Sequence, residues 1–124
     1  MATITPTFSK IRGPSGGIDA VVVTWTGFAA SGDVGVAIQR PDLADRSIQF
    51  TGTFAGTPTI VWEGSNDGIN YGTLSTPAVT SISQTSAGGP IQVTEACVYS
   101  RPRLTAGSGG AAINAVLTMR RTLR

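Results

Sequence analysis

The stretch "RSIQFTGTF", residues 46–54, alternates between two kinds of side chain. One set is apolar or small and the other is serine, glutamine and threonine: Ile48, Phe50, Gly52 and Phe54 against Ser47, Gln49, Thr51 and Thr53. Successive side chains of a β-strand point to opposite faces of its sheet. The stretch therefore predicts a strand with one face in a core and the other face outside it.

The segments on either side of this stretch continue the β pattern. A turn, "AGTP", is followed by "TIVWEG", and the apolar runs "IDAVVVTWT" (residues 18–26), "VGVAI" (34–38) and "AAINAVLTMRR" (111–121) are rich in β-branched residues. Helical spacing of apolar residues is not sustained over three turns anywhere in the chain. We predict an all-β fold, an antiparallel β-sandwich or jelly roll of about eight strands, with a small barrel as the alternative.

In the last predicted strand, Ile113, Ala115, Leu117 and Met119 should face the core. Pro102 lies inside another strand pattern, "ACVYSRPRL". Proline has no N–H to donate to a neighbouring strand, so we expect this strand to run at a sheet edge or to contain a bulge.

Length and composition indicate one domain with an unusually uncharged surface. The chain has 124 residues, of which only 13% are charged, whereas about 25% is usual for a soluble domain. Its 16 glycines and 7 prolines are spread along the sequence, as turn residues between short strands would be. We assign residues 18–124 to the sandwich and residues 1–17 to an N-terminal arm or edge strand.

The residue types needed for several kinds of chemistry are missing. The chain has no histidine and a single cysteine, Cys97, so a histidine-dependent nucleophilic site, a zinc site of several thiolates and an internal disulfide are all excluded. Cys97 is interpreted as a buried structural thiol. We predict neither catalysis nor a cofactor nor a metal. The first residues do not resemble a signal peptide, and apolar runs are too short to span a membrane.

Positive charge is concentrated at the end of the chain. Residues 101–124 contain five arginines and no acid, whereas residues 1–100 have four bases and seven acids. Eight of the nine bases are arginine, whose planar guanidinium suits desolvated contacts with carboxylates. The net charge of only +2 argues against a nucleic-acid partner.

Two groups of residues are candidates for contact with a partner or with another copy of the chain. The first lies in the N-terminal segment, where apolar side chains need a partner, and the second at the arginine-rich end: Ile4, Phe8, Ile11 and Arg12, and Arg120, Arg121 and Arg124. The alternatives are a local edge strand for the first group and a solvated end for the second.

The stretch "EGSNDGINYGTL", residues 63–74, contains residue types of both a calcium loop and a β-turn. A calcium loop needs six to eight oxygen ligands and several carboxylates, but this stretch has only Glu63 and Asp67. Asn and Asp side chains bond to nearby backbone in turns, and Gly68 tolerates a positive φ. The stretch therefore favours a hairpin turn between "IVW" and "NYGTL".

This hairpin, together with "FTGTFAG" before it and "VYSRPRLTAGSGGAAINAVLTMRR" after it, resembles a family of small capsid decoration (cement) proteins of tailed bacteriophages. The shared pieces are "GSNDG-x-N-Tyr" and a Tyr-x-Arg-Pro strand before a glycine-rich turn. The resemblance runs from about Trp25 to the C-terminus. It implies a protein made in the host cytoplasm that binds the exterior of the head and stabilises contacts between capsid subunits. The implied partners are the major capsid protein and further copies of the chain, as a dimer or trimer.

Two alternatives remain open from the sequence. One is a component of the phage tail or of the head–tail junction. The other is a carbohydrate-binding jelly roll on the virion surface, because "SNDG" also resembles a turn of discoidin-type modules. A glycan site usually presents exposed aromatic rings, and the pattern instead places Trp25, Trp62, Tyr71 and Tyr99 in the core.

Overall fold

The computed structural model describes residues 2–12, 14, 18–95 and 97–121. Within these residues the chain forms eleven β-strands and no helix: β1 (Thr3–Ile4), β2 (Thr7–Arg12), β3 (Ile18–Phe28), β4 (Val34–Gly35), β5 (Asp45–Thr53), β6 (Thr59–Ser65), β7 (Gly72–Thr73), β8 (Ser83–Gln84), β9 (Ile91–Val93), β10 (Tyr99–Ala106) and β11 (Ala112–Arg120). The predicted all-β class is confirmed. The strand count exceeds the predicted eight because β1, β4, β7 and β8 have only two residues each, too few to produce an alternating pattern.

The strands form two sheets that face each other as a sandwich. The six-stranded sheet has the order β1-β4-β10-β6-β7, with β8 paired to β6, and the five-stranded sheet has the order β2-β3-β11-β5-β9. The pairing of β1 with β4 is parallel, and the other strand pairs are antiparallel.

The core lies between the two sheets and is filled by the inward residues that alternation predicts. All four residues predicted on β11 are fully buried, as are Ile48 and Phe50 on β5. The ring centroids of Trp25 and Trp62 lie 5.7 Å apart in an edge-on arrangement at the centre. Cys97 is partly buried against this core, and its burial raises the pKa of the thiol, which fits a structural role.

The N-terminal segment adopts the edge-strand alternative. Strand β2 pairs antiparallel with β3 along its whole length and forms one edge of the five-stranded sheet. The preceding strand β1 belongs to the other sheet, where Ile4 pairs with Gly35 and packs partly against the core. Residues 3–12 therefore contribute a short strand to each sheet.

Pro102 does not lie at a sheet edge, so the edge alternative for its strand is wrong. Strand β10 lies between β4 and β6, and Pro102 pairs with Trp62 on β6. On the β4 side, the N–H groups of Ser100 and Leu104 donate to Ile38 O and Asp33 O. The missing N–H of Pro102 falls between these two bonds, and the bulge that was the second alternative occurs further on, between Leu104 and Ala106.

One charged side chain occupies an inward position of the sandwich. Arg46 is only 2% exposed, and it occupies the same face of the alternating stretch 46–54 as Ile48 and Phe50. Its Nε and one Nη donate to Leu43 O and Arg40 O, and its other Nη donates to Ser100 Oγ. These bonds tie the loop before β5 to the sandwich, and burial lowers the pKa of Arg46.

A buried carboxylate fastens the start of the chain to the loop before β4. Asp33 is 4% exposed and accepts hydrogen bonds from the backbone N–H groups of Ala2, Ala29 and Ala30 at 2.8–3.0 Å. Burial alone raises the pKa of Asp33, but the three N–H donors outweigh it, and the net effect lowers the pKa below its usual value of 3.8.

Acidification is therefore expected to weaken the fold through Asp33. A carboxyl with a lowered folded pKa contributes stability that is present above its unfolded pKa, near 3.8, and is lost as the pH falls through the folded pKa. The free energy of unfolding, measured by denaturant titration at pH 7 and pH 3, should fall more in the wild type than in Asp33→Asn. Equal losses in the two proteins would exclude this role for Asp33.

Candidate interface surfaces

The predicted N-terminal contact residues differ in their exposure. On β2, Phe8 and Ile11 are 57% and 49% exposed, which is high for large apolar side chains. Arg12 is also exposed at the end of the same strand, opposite Ile18. Ile4 is partly buried. Strand β2 therefore provides the accessible part of this group.

The predicted C-terminal contact residues follow the last strand. Arg120, at the end of β11, donates from Nε to Asp45 Oδ2 at 2.7 Å, and both side chains are well exposed. Such a surface ion pair contributes about 1 kcal/mol or less to stability. Arg121 comes next and is exposed. Arg124 lies outside the described residues.

Strand register brings one residue of each group to the same end of the five-stranded sheet. Ala20 on β3 is paired on one side with Ile11 and on the other with Arg120, and Arg120 is in turn opposite Asp45 on β5. Ile11 and Arg120 are thus two strand spacings apart, or about 10 Å. Ile11 and Arg120 therefore share the outer face of this sheet, whereas Phe8, opposite the buried Val23, points to the other side.

The next rows of this outer face are uncharged. Each row consists of residues paired across neighbouring strands, and the two rows next to Arg120 and Asp45 contain no charged residue. Their members on β3, β5 and β11 define what we call the neutral face: Val22, Thr24, Ser47, Gln49, Val116 and Thr118. Strand β2 extends these rows with Thr7 and Ser9, and β9 adds Gln92. Of these residues, Ser47 and Gln49 were assigned to an outward face from the sequence, but the union of the strands into one surface depends on register.

A charged cluster lies on the outer face of the other sheet. Glu63 on β6 is opposite Arg101 on β10. Its Oε1 accepts from Arg101 Nε at 2.7 Å and its Oε2 accepts from Arg103 Nε at 3.3 Å. The Arg101 guanidinium carbon lies 3.6 Å from the centroid of the Tyr71 ring. Both arginines belong to the basic end of the sequence, but neither was predicted as a contact residue. The available signal was their spacing of two, which places them on one face of a strand.

The Asp67 stretch is a hairpin turn, as predicted. Strands β6 and β7 pair through Glu63–Thr73 and Gly64–Gly72, and Gly68 has a φ of 77°. Asp67 Oδ1 accepts from Ser65 Oγ and from the N–H groups of Ile69 and Asn70, while Oδ2 accepts from Asn70 Nδ2.

These donors, first the backbone N–H groups of Asn70 and Ile69, lower the pKa of Asp67. Both carboxylate oxygens are therefore used by the turn itself. In the part of the chain that the structure describes, no three potential metal ligands from His, Cys, Asp and Glu are grouped together. The same residues include no helix with the length and hydropathy needed to cross a membrane.

The aromatic residues are mostly unavailable to a ligand. Trp25 and Trp62 are fully buried, as predicted. Tyr71 and Tyr99 are only half-buried, so their assignment to the core is wrong in that detail. The guanidinium of Arg101 covers one face of the Tyr71 ring, and the Tyr99 ring packs beside Gly68 of the hairpin turn.

No protein-family model and no curated protein matches this sequence. Among solved structures, the crystal structure of the SPBc2 prophage-derived protein YomS is similar, with a TM-score of 0.57. The likeness covers 80% of this chain and 94% of that chain at 10% sequence identity. At this identity it is the fold that the two proteins share. The described residues thus form a two-sheet all-β sandwich of a kind that also occurs in a prophage-derived protein.

Proposed function

We propose that this chain is a structural protein of a tailed-phage virion, a decoration or cement protein that binds the head exterior. In this proposal it acts without catalysis or cofactor and holds neighbouring capsid subunits together. It is recruited from the host cytoplasm as a dimer or trimer. The observation that carries the proposal is the neutral face, an uncharged surface at the centre of the five-stranded sheet.

The chemistry of the neutral face suits burial against another protein. Burying a charged group without a partner is costly, whereas hydroxyl and amide groups need only a hydrogen bond and methyl groups gain from burial. The exposed Ile11 on β2 lies on the same side of the sheet as this surface, whereas Phe8 is opposite the buried Val23 and points to the other side. Repetition of the contact around a capsid lattice allows each copy to bind weakly while the assembly is held firmly.

The phage assignment is supported by the shared fold and by sequence. The sandwich is similar to that of a prophage-derived protein, and the hairpin that resembles phage decoration proteins forms a turn stabilised by Asp67. The glycan-binding alternative is not favoured, because both tryptophans are buried and Tyr71 is partly covered by Arg101. A tail partner would use the same neutral face, so the location on particles distinguishes these two possibilities.

The proposal is tested by placing a charge at the centre of the neutral face. Val116 pairs with Thr24 on one side and Gln49 on the other, so Val116→Lys puts an ammonium where a partner would bury it. Retention on purified heads that lack the protein should fall about tenfold or more, because an unpaired buried charge costs more than the 1.4 kcal/mol of a tenfold change. Bound protein is measured by quantitative gel analysis after sedimentation.

The matched control is Val79→Lys, which places the same charge on a valine that is 85% exposed in the loop between β7 and β8. Its retention should stay near that of the wild type. Thermal unfolding of both isolated variants verifies that each is folded. Equal retention of Val116→Lys, Val79→Lys and the wild type would show that the neutral face is not the docking surface.

A further inference from the structure

Two arginines on β10 are held side by side by one buried carboxylate. Arg101 and Arg103 are two residues apart, so both point to the outer face of the six-stranded sheet. Each donates its Nε to a different oxygen of Glu63. The Glu63 side chain is 4% exposed, while those of Arg101 and Arg103 are 27% and 45% exposed. The carboxylate therefore lies beneath the two guanidinium groups.

This arrangement leaves the outer donors of both guanidinium groups available. Within the described residues, the hydrogen bonds of Arg101 and Arg103 to acceptors use Nε alone, so the Nη groups remain for a ligand. Arg101 is further fixed by the Tyr71 ring. Side chains that are already ordered lose little conformational entropy when a ligand binds. We call the pair Arg101 and Arg103 the arginine fork.

The charge of the site indicates the class of ligand. Two guanidinium groups and one carboxylate leave a single positive charge, and the neighbouring outward positions on β6, β7 and β8 are uncharged: Val61, Ser65, Thr73 and Ser83. A planar carboxylate matches the parallel N–H groups of arginine and balances this charge. A nucleic acid carries a negative charge on every phosphate and would require a longer row of basic side chains.

We propose that the arginine fork binds an aspartate or glutamate side chain of a different protein, which, if the proposed function is right, is the capsid protein. A carboxylate from a second copy of this chain is disfavoured because most of its described acids are already engaged. Asp33 and Asp67 accept several N–H or O–H donors, and Asp42 and Asp45 pair with arginines.

The fork gives the module a second contact surface on the side opposite to the neutral face. The neutral face belongs to the outer side of the five-stranded sheet and the fork to the outer side of the six-stranded sheet. A module with both surfaces occupied would connect two capsid elements through the thickness of the sandwich. This arrangement provides a physical basis for cementing, because separation of the two elements requires one of the contacts to break.

The fork is tested on the isolated full chain with a peptide of ten glutamates as the probe. The Nε–Hε signals of Arg101 and Arg103 in ¹⁵N NMR spectra should move on titration. Arg103→Gln should weaken binding about tenfold, the effect of losing a charge-assisted hydrogen bond. It keeps the 2.7 Å bond between Arg101 and Glu63. The control Arg40→Gln removes another ion-paired surface arginine of nearly the same exposure and should leave binding unchanged.

Three results would overturn the proposal that the arginine fork binds a carboxylate. They are failure of the peptide to bind the wild type, equal weakening by Arg103→Gln and Arg40→Gln, and tighter binding of inorganic phosphate than of the peptide. Head retention separates this inference from the proposed function. If Val116→Lys loses retention while Arg103→Gln keeps it, the fork is not a capsid contact and the proposed function stands. If the wild type binds the peptide but not heads, the proposed function fails and the carboxylate site stands.

Discussion

Replacing Gly52 with alanine should lower the free energy of unfolding by roughly 3 kcal/mol or more, through a strained φ and a backbone clash. Gly52 lies in β5 with a φ of 103°, a region that residues with a side chain rarely adopt. A Cβ at this position would also collide with the carbonyl oxygen of Ala112 on the neighbouring strand. Backbone on both sides of the contact is fixed by pairing of β5 with β11, so little relief is available.

Alanine variants at two other glycines distinguish the cost of the strained φ from the cost of the backbone clash. Gly27 has a φ of 90° but open space where a Cβ would lie, and Gly72 has open space and no positive φ. In urea titrations, Gly27→Ala should lose roughly 1–2 kcal/mol from the φ alone, and Gly72→Ala should stay near the wild type. A Gly52→Ala protein no less stable than Gly27→Ala would show that the clash is relieved by movement of β11.

Replacing Trp62 with alanine should cost about 3–5 kcal/mol, the usual range for a large buried aromatic side chain. Trp62 is fully excluded from solvent on the central strand β6 and packs edge-on against Trp25. Its loss would leave a cavity between the sheets that rigid strands cannot close. Urea titration followed by circular dichroism measures the loss, and a cost under about 1 kcal/mol would contradict this central packing role.

The two tryptophans differ in how their N–H groups are satisfied, which gives a finer test. Trp25 Nε1 donates to Val36 O at 3.0 Å, whereas Trp62 Nε1 has no hydrogen-bond partner among the described residues. Phenylalanine at position 25 therefore loses a partly buried hydrogen bond to Val36 O, whereas at position 62 it removes an unsatisfied donor. Trp25→Phe should be less stable than Trp62→Phe by about 1–2 kcal/mol.

Alternation made the two long central strands predictable from the sequence. The inward residues of β5 and β11 differ so clearly from their outward neighbours that burial of Ile48, Phe50 and Leu117 follows directly. The hairpin at Asp67 was also predictable, because Asp, Asn and Gly have local reasons to form a turn that do not depend on the rest of the fold.

Features that depend on contacts between distant segments were not predictable. The missing N–H of Pro102 is tolerated in a central strand because the bonds to β4 skip that position. Arg46 is buried because carbonyls of a preceding loop receive its N–H groups. The neutral face and the arginine fork are likewise products of strand register. The individual residues were visible in the sequence, but their neighbours were not.

A density map of phage heads decorated with the purified protein shows whether the neutral face binds the exterior of the head. We expect copies at boundaries between capsid subunits, with Val116 and Thr24 turned towards the shell. Density confined to the tail, or copies on the head with the neutral face turned to solvent, would rule out this mode of binding.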